Sequence, residues 1–335
     1  MEIVFDCGIY LPEIDLWLDP TRGRPRAVVS HAHSDHFGRN DEFLVTPGTA
    51  ALLRHRYRPR GRMAEQCFGE RRDFGDFALT LYPAGHVLGS AQALIEHRGE
   101  RLLYSGDLKL TPSHTAEACE VPRAETLIVE STFGRPRYVF PPSQEVIADI
   151  LSFCRNALAK GETPVLFAYS LGKGQEVLRA LDGAGFEIAV HGTTFGVAEV
   201  YTRLGVEFPL HERLDDCDPR GRVVICPPQT RRAAMFSRIT RPRTALVSGW
   251  AIDRGARWRY GVDESFPLSD HADYNELVEY VRLVNPARVF TIFGFEGEFA
   301  ADLRTRGYDA QPLKSTMQLQ MFAHAPERSG TRSRI

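Results

Sequence analysis

Four metal-ligating side chains fall within six positions of this 335-residue chain, in the run His31-Ala32-His33-Ser34-Asp35-His36. The run follows Val28-Val29-Ser30, where two β-branched residues and a serine read as the end of a buried strand. Along an extended segment residues i and i+2 share a face, so His31 and His33 can converge on one ion. Once the chain turns, Asp35 and His36 can face a second point close by. Imidazole and carboxylate at a strand end suit zinc, and also manganese or iron. One such ion needs at least one further donor and two ions need several, so the fold must bring more ligands to this strand end.

The sequence offers them in a repeated form: an apolar strand, then a polar group at its C-terminal end. Phe77 to Tyr82 reads as a strand and leads into Gly85-His86-Val87-Leu88-Gly89, where small neighbours let His86 approach an ion as a third histidine ligand. Leu102-Leu103-Tyr104-Ser105 ends at Gly106-Asp107, and Asp107 is a carboxylate that can bridge two ions. Thr126-Leu127-Ile128-Val129 ends at Glu130-Ser131-Thr132. Leu16-Trp17-Leu18 ends at Asp19, which either orients a ligand histidine from behind or merely forms a turn before Pro20. Repeated delivery of His, Asp and Glu implies one shared site on one edge of a sheet sandwich.

The texture changes at Pro141. A helix is expected from Ser143, its candidate N-cap, to about Lys160, with Gly161 as its stop. Pro164 to Ala168 reads as a buried strand. Tyr169-Ser170-Leu171-Gly172-Lys173-Gly174-Gln175-Glu176 then opens a helix in an anion-friendly geometry. A βαβ rhythm continues to Ala245-Leu246-Val247 and implies a parallel sheet. After that the first style returns, with Ser269-Asp270-His271-Ala272-Asp273 before a helix (Ser269 or Asp270 beginning its cap) and a strand Arg288 to Ile292 ending at Phe293-Gly294. The expected divisions are 1–140, 141–248, 249–323 and a flexible tail, 324–335.

Composition narrows the class. No run of 18 apolar residues exists, and Met1 to Asp6 lacks the basic and apolar regions of a secretory signal. The six cysteines are scattered with no CxxC, which reads as reduced thiols in a cytoplasmic protein with no membrane partner. The net charge of −2 gives no global basic field, although arginines gather around 54–62, 231–243 and 254–259.

The motifs His31-Ala32-His33-Ser34-Asp35-His36, His86 and Asp107 resemble those of the metallo-β-lactamase fold. Val129-Glu130-Ser131-Thr132-Phe133, Tyr169 to Glu176, and Ser269 to Asp273 are similar to β-CASP motifs. Gly249-Trp250-Ala251-Ile252-Asp253-Arg254-Gly255-Ala256-Arg257, followed by Leu268 to Asp273, looks closest to bacterial exonucleases associated with DNA ligase. This likeness, from about residue 3 to 300, implies an α/β protein: a metallo-β-lactamase αββα sandwich with an inserted α/β β-CASP cap domain. It implies a metal-dependent phosphodiesterase, a DNA exonuclease in repair or end processing, with DNA ligase or helicase partners. Two zinc ions are expected, or manganese. His31, His33 and His86 would hold one, Asp35 and His36 the other, with Asp107 bridging. His271 would contact the scissile phosphate or protonate the leaving oxygen, oriented by Glu130. Asp35 would also orient the nucleophile, and Asp19 would support the site from behind. Ser131, Lys173, Arg254 and Arg257 are candidate substrate contacts.

One position departs from that pattern. Many β-CASP proteins carry His before Gly at the last strand end, where this chain has Phe293-Gly294. Phenylalanine cannot bind metal, so the second ion loses a donor, and the departure favours DNA over RNA. The alternatives are an RNase with the same site, a small-molecule metallo-hydrolase and a non-catalytic nucleic-acid-binding subunit.

Overall fold

Short apolar stretches punctuated by turns collect into three sheets in the computed structural model, which describes residues 1–313. The expected flexible tail, 324–335, and the end of the third expected division, from 314, lie outside the described residues.

The first sheet takes its six strands in chain order: Val4–Phe5, Ile9–Leu11, Leu16–Leu18, Arg26–Val28, Glu42–Val45 and Arg62–Glu65. The second has seven, in the spatial order Asp309–Pro312, Arg288–Ile292, Thr126–Glu130, Glu100–Tyr104, Ala91–His97, Ala78–Pro83 and Arg71–Asp73. The two sheets face each other through one apolar core. Leu16, Leu18, Val28 and Leu44 meet Leu79, Ile95, Leu102, Tyr104 and Ile128. Alternate residues of the same strands point outward, as the strand period of two requires. Leu103, Leu127 and Val129 pack on the helix Tyr274–Val284, and Phe43 and Val45 on the helix Pro47–Arg56. Strands buried on both faces read as near-continuous apolar runs, which is what these are. The result is an αββα sandwich.

The third sheet is parallel throughout, in the order Glu212–Arg213, Ile188–Val190, Val223–Cys226, Thr163–Phe167, Pro242–Val247 and Glu264–Phe266. Its last strand comes from beyond residue 248 and extends the inserted sheet past that division. The module sits on the sandwich through the helix Gly192–Arg203, whose Val197, Val200 and Tyr201 share a core with Leu52 and Leu53. Burying each such side chain contributes roughly 1.5–3 kcal/mol. Gly172 supports a second contact. Its φ is +81°, and a Cβ there would collide with Val87 of the sandwich.

Two cap assignments are corrected. Ser143 does not cap its helix: Pro142 occupies the N-cap position and makes no side-chain capping bond, because Pro fixes an extended approach but has no acceptor. The helix Tyr274–Val284 is capped by Asp273, in a reciprocal box with Glu276, and not by Ser269 or Asp270. Residues 269–271 are thereby left in the loop at the site. Several polar edge strands and the helix Glu296–Thr305 were not legible from periodicity. Among the described residues no helix is long and apolar enough to cross a membrane.

Candidate functional site

The strands that end in polar residues end on the same edge. His31 follows Arg26–Val28, His86 follows Ala78–Pro83, Asp107 follows Glu100–Tyr104, and Glu130 closes Thr126–Glu130. Gly85 makes the approach of His86 possible. Its φ is +80°, and a Cβ would run into the Lys109 carbonyl.

His31, His33, His86 and Asp107 offer one ligand atom each within 4.8 Å of one another. His31 Nε2 lies 2.9 Å from His33 Nδ1, which lies 3.2 Å from His86 Nε2. Asp107 Oδ2 is 3.5 Å from His31 Nε2 and 3.8 Å from His86 Nε2. Donors around a tetrahedral ion with bonds of about 2.1 Å stand about 3.4 Å apart, so this set fits one divalent ion. The outer nitrogens are held as a metal ligand requires. His86 Nδ1 donates to the Asp270 carbonyl at 2.8 Å, which leaves the Nε2 lone pair facing inward. His31 Nδ1 contacts Ser30 Oγ at 3.0 Å.

Charge agrees with geometry. Burial lowers the pKa of His31 and His33, and brings that of His86 down to about 3, so all three are neutral donors near neutral pH. His36 behaves oppositely. Burial works against its charge, but Asp107 and Asp19 on either side raise its pKa well above the usual value. Burial also works against the Asp107 charge, yet His36 and His271 hold its carboxyl well below the ordinary range. The edge of the sheet therefore combines three neutral imidazoles with an ionised carboxylate.

His36 Nε2 lies 3.3 Å from Asp107 Oδ2 and 3.9 Å from Asp35 Oδ2. Asp35 is 79% exposed and is the least fixed of the candidate ligands. Phe293 lies edge-on to His36, with ring centroids 5.3 Å apart. His36, Asp107 and Asp35 thus stand beside the first cluster, with the Phe293 ring as a wall next to His36.

Asp19 lies behind His36. Its Oδ1 accepts from the Ser30 amide at 2.7 Å, and its Oδ2 accepts from His36 Nδ1 at 2.8 Å and Tyr104 Oη at 2.8 Å. It is buried and touches no open space, so it positions His36 from behind. Glu130 is fully buried and does the same for His271. Its Oε1 accepts from the Leu108 amide at 2.8 Å and from His271 Nδ1 at 3.0 Å. His271 Nε2 then points at the metal cluster, 3.9 Å from Asp107 Oδ2. Burial opposes its charge, but Glu130 and Asp107 bring its pKa up to about 9.

These groups open into a cavity of about 610 Å³ between the sandwich and the inserted module. The sandwich contributes His33, Asp35, His36, Asp107 and His271, and the module contributes Tyr169 and Lys173. The four candidate substrate contacts separate here. Lys173 reaches the cavity but is already engaged, with Nζ 2.6 Å from Glu176 Oε2. Ser131 does not reach it: its buried hydroxyl donates to the carbonyls of Ile292 and Phe293. Arg254 and Arg257 are exposed and lie outside the lining. Sequence reasoning overlooked the Asp270 carbonyl behind His86, Tyr104 behind Asp19, and Arg56 on the cavity wall. Tyr104 sits in an apolar strand and gave no signal, whereas Arg56 stood in a noted basic stretch.

Residues 2–141 match the metallo-beta-lactamase superfamily. They include all six strands of the first sheet and five of the seven strands of the second. Over 323 residues the chain is 47% identical to a probable DNA ligase of Opitutus terrae, a match that covers 96% of this chain and 32% of that protein. It is 38% identical over 109 residues to the transcription termination factor FttA of Methanocaldococcus jannaschii, covering 31% of this chain and 17% of that one. An RNase J-like protein of the same organism is 24% identical over 205 residues, covering 52% and 48%. The chain thus spans under half the length of these relatives. A crystal structure of an Enterococcus faecalis protein of unknown function shares the fold, with a TM-score of 0.58 at 12% identity over 82% of this chain and 76% of that one.

Proposed function

We propose that this chain is a metal-dependent nuclease that hydrolyses phosphodiester bonds of DNA at strand ends, beneath a β-CASP-type cap. The observation that carries the reading is the placement of His271. It is a histidine hydrogen-bonded to a buried Glu130, facing the same cavity as a cluster of four candidate metal donors.

The divisions we propose are a metallo-β-lactamase part, 1–140, an inserted cap, 141–248, and a return to the sandwich, 249–323, with the strand Glu264–Phe266 lending the cap sheet an edge. His31, His33, His86 and Asp107 would hold one ion, and Asp107, His36 and Asp35 the other, with zinc the first choice and manganese the second. A divalent metal held there supplies Lewis acidity and an activated water near neutral pH. His271, protonated at Nε2, gives its proton to the departing oxygen. Glu130 keeps that imidazole charged and aimed. Asp19 keeps His36 turned toward Asp107. The cap walls the cavity and limits water around the reacting phosphate.

DNA is favoured by two observations. A relative named as a probable DNA ligase contains a segment 47% identical to nearly all of this chain, which suits a nuclease that trims ends before ligation in the cytoplasm. Phe293 stands where the resemblance expects His in RNA-acting proteins. The RNase reading rests on the lower likeness to the RNase J-like protein. The deciding experiment supplies zinc or manganese in turn to the purified chain, with end-labelled single- and double-stranded DNA and RNA. Metal-dependent release of short products from DNA, abolished by chelation, is the expected result. Faster cleavage of RNA transfers the reading to an RNase, and no cleavage of either by metal-loaded protein overturns it.

A further inference from the structure

Among the described residues three aromatic side chains are exposed beyond a third of their surface: Tyr169 at 57%, Tyr260 at 38% and Trp258 at 91%. Leaving an indole in water forfeits a large apolar area, so a chain that does this next to a cavity invites a partner for the ring. Tyr169 follows the strand Thr163–Phe167, and Trp258 and Tyr260 lie on a short helix that follows its parallel neighbour, Pro242–Val247, so the chain leaves both strands at the same edge of the third sheet. Tyr169 lines the cavity itself. Asp35 and Asp270 line the same cavity, and Tyr260 is near enough to act on the Tyr169 phenol electrostatically.

Two further contacts tie the outer rings to the cavity wall. Gln229 lines the cavity, and Arg231, two residues on in the same short helix, donates from Nη1 to the Tyr260 carbonyl. Trp250 also lines the cavity, and Asp253 at the end of its turn holds Arg259 Nη1 at 3.2 Å. The five-residue helix Ala256–Tyr260, which carries Trp258, is therefore anchored on both sides to segments that form the mouth.

The surroundings are cationic. Arg231, Arg232, Arg254, Arg257 and Arg259 are all exposed here. Arg257 meets Glu264 only at 3.7 Å and Arg254 makes no ion pair among the described residues. Exposed pairs of this kind contribute little, so the guanidinium groups remain open to phosphates. Aromatic faces interleaved with arginines are the combination that holds single strands, by base stacking and backbone charge.

We propose that Tyr169, Tyr260 and Trp258, flanked by Arg231, Arg254 and Arg257, form a track along which single-stranded DNA runs from the cavity across the cap. The track rests on the nuclease reading for its direction, but its binding is separable from catalysis. Bases stack on the rings while the arginines follow the backbone. The track reads no sequence, because every base presents a π-face. It makes the protein prefer ends that carry a single-stranded stretch over blunt duplex.

The test is fluorescence anisotropy of a labelled single-stranded oligonucleotide longer than a site of about 4–16 nucleotides, run beside hydrolysis of bis(p-nitrophenyl) phosphate. Trp258→Ala should weaken DNA binding about tenfold, Trp258→Phe should restore most of it, and both should hydrolyse the small diester like the wild type. Arg254→Ala should lower the slope of log affinity against log salt by about one. Unchanged DNA binding by Trp258→Ala overturns the track and leaves the nuclease reading intact. Wild-type protein that does not bind single strands overturns it as well. Binding that depends on Trp258 without any diester hydrolysis keeps the track and sinks the nuclease reading. Tighter, Trp258-dependent binding of RNA overturns the assignment to DNA. Trp258 is almost wholly exposed, so its loss leaves the fold intact.

Discussion

Glu176→Gln tests how the cap is locked to the sandwich. Four charges meet at that seam. Lys109, just past the strand Glu100–Tyr104, donates from Nζ to Glu176 Oε1 at 3.2 Å and to the Ser269 carbonyl at 2.7 Å. Lys173 and Glu176 lie on the cap helix Lys173–Ala180, and Lys173 Nζ sits 2.6 Å from Glu176 Oε2 and 3.7 Å from Asp270 Oδ1. The side chains of Lys109, Lys173 and Glu176 are each under a tenth exposed. The substitution keeps the shape and removes one negative charge, which leaves two buried ammonium groups facing one carboxylate. Breaking a buried pair costs about 3–5 kcal/mol. Lys109 retains the Ser269 carbonyl and Lys173 retains Asp270, so the lower end, about 3 kcal/mol, applies. At about 2–4 °C per kcal/mol the thermal midpoint should fall by about 6 °C or more near neutral pH.

The same substitution has a signed pH dependence. Burial works against the Glu176 charge, but Lys173 and Lys109 outweigh it and hold the carboxyl below its ordinary value of 4.5. A depressed folded pKa gives stability that is complete above the unfolded value and is lost as pH falls through the folded one. The gap between wild type and variant should therefore be widest near neutral pH and close below pH 4.5. Melting curves read by circular dichroism across that range measure it. A midpoint within about 1 °C of wild type near neutral pH, or a gap that does not narrow with acid, refutes the reasoning.

Asp19→Asn should weaken metal binding about 10–100-fold, because His36 loses the carboxylate that aims it, and competition with a chromophoric chelator measures this. His271→Ala should keep full metal content while turnover falls by about 10²–10⁴-fold; unchanged turnover would sink its role as proton donor. Phe293→His puts an imidazole where the ring now faces His36, so metal analysis of protein loaded at limiting zinc should find a higher second-ion occupancy.

The convergence of His31, His33, His86 and Asp107 was legible because strand periodicity and donor chemistry constrain it together. His31 and His33 share a face, and a strand end is the one place where a buried sheet can turn a polar side chain outward. Glu130 and His271 are separated by 141 positions, yet both stood in motifs, so the contact at 3.0 Å joined two features already singled out. What periodicity could not give is which polar group faces a cavity and which is spent on the backbone. Ser131 and Lys173 look equally suited to phosphate in sequence. One hydroxyl is consumed by the carbonyls of Ile292 and Phe293 and one ammonium by Glu176. The polar edge strands Arg62–Glu65 and Arg71–Asp73 were invisible for a related reason: their pairing supplies structure that their side chains do not encode.

That use of Ser131 also explains how the strand end holds Phe293 against His36. Phe293 and Gly294 both adopt left-handed backbone, with φ of 61° and 62°. For a residue with a Cβ this costs roughly 1–2 kcal/mol. The strain is held from below, since the Ser131 hydroxyl donates to the carbonyls of Ile292 and Phe293 and the Ser131 carbonyl accepts from the Phe295 amide. Gly294 must be glycine because a Cβ would strike the Ser131 backbone at 2.5 Å. The turn therefore presents an apolar side chain toward His36. Its ring closes against His36 and joins the apolar contacts of the inter-sheet core. His31, His86 and Asp107 are buried and His33 is half-buried, whereas Asp35, the carboxylate that faces His36 from the open side, is 79% exposed.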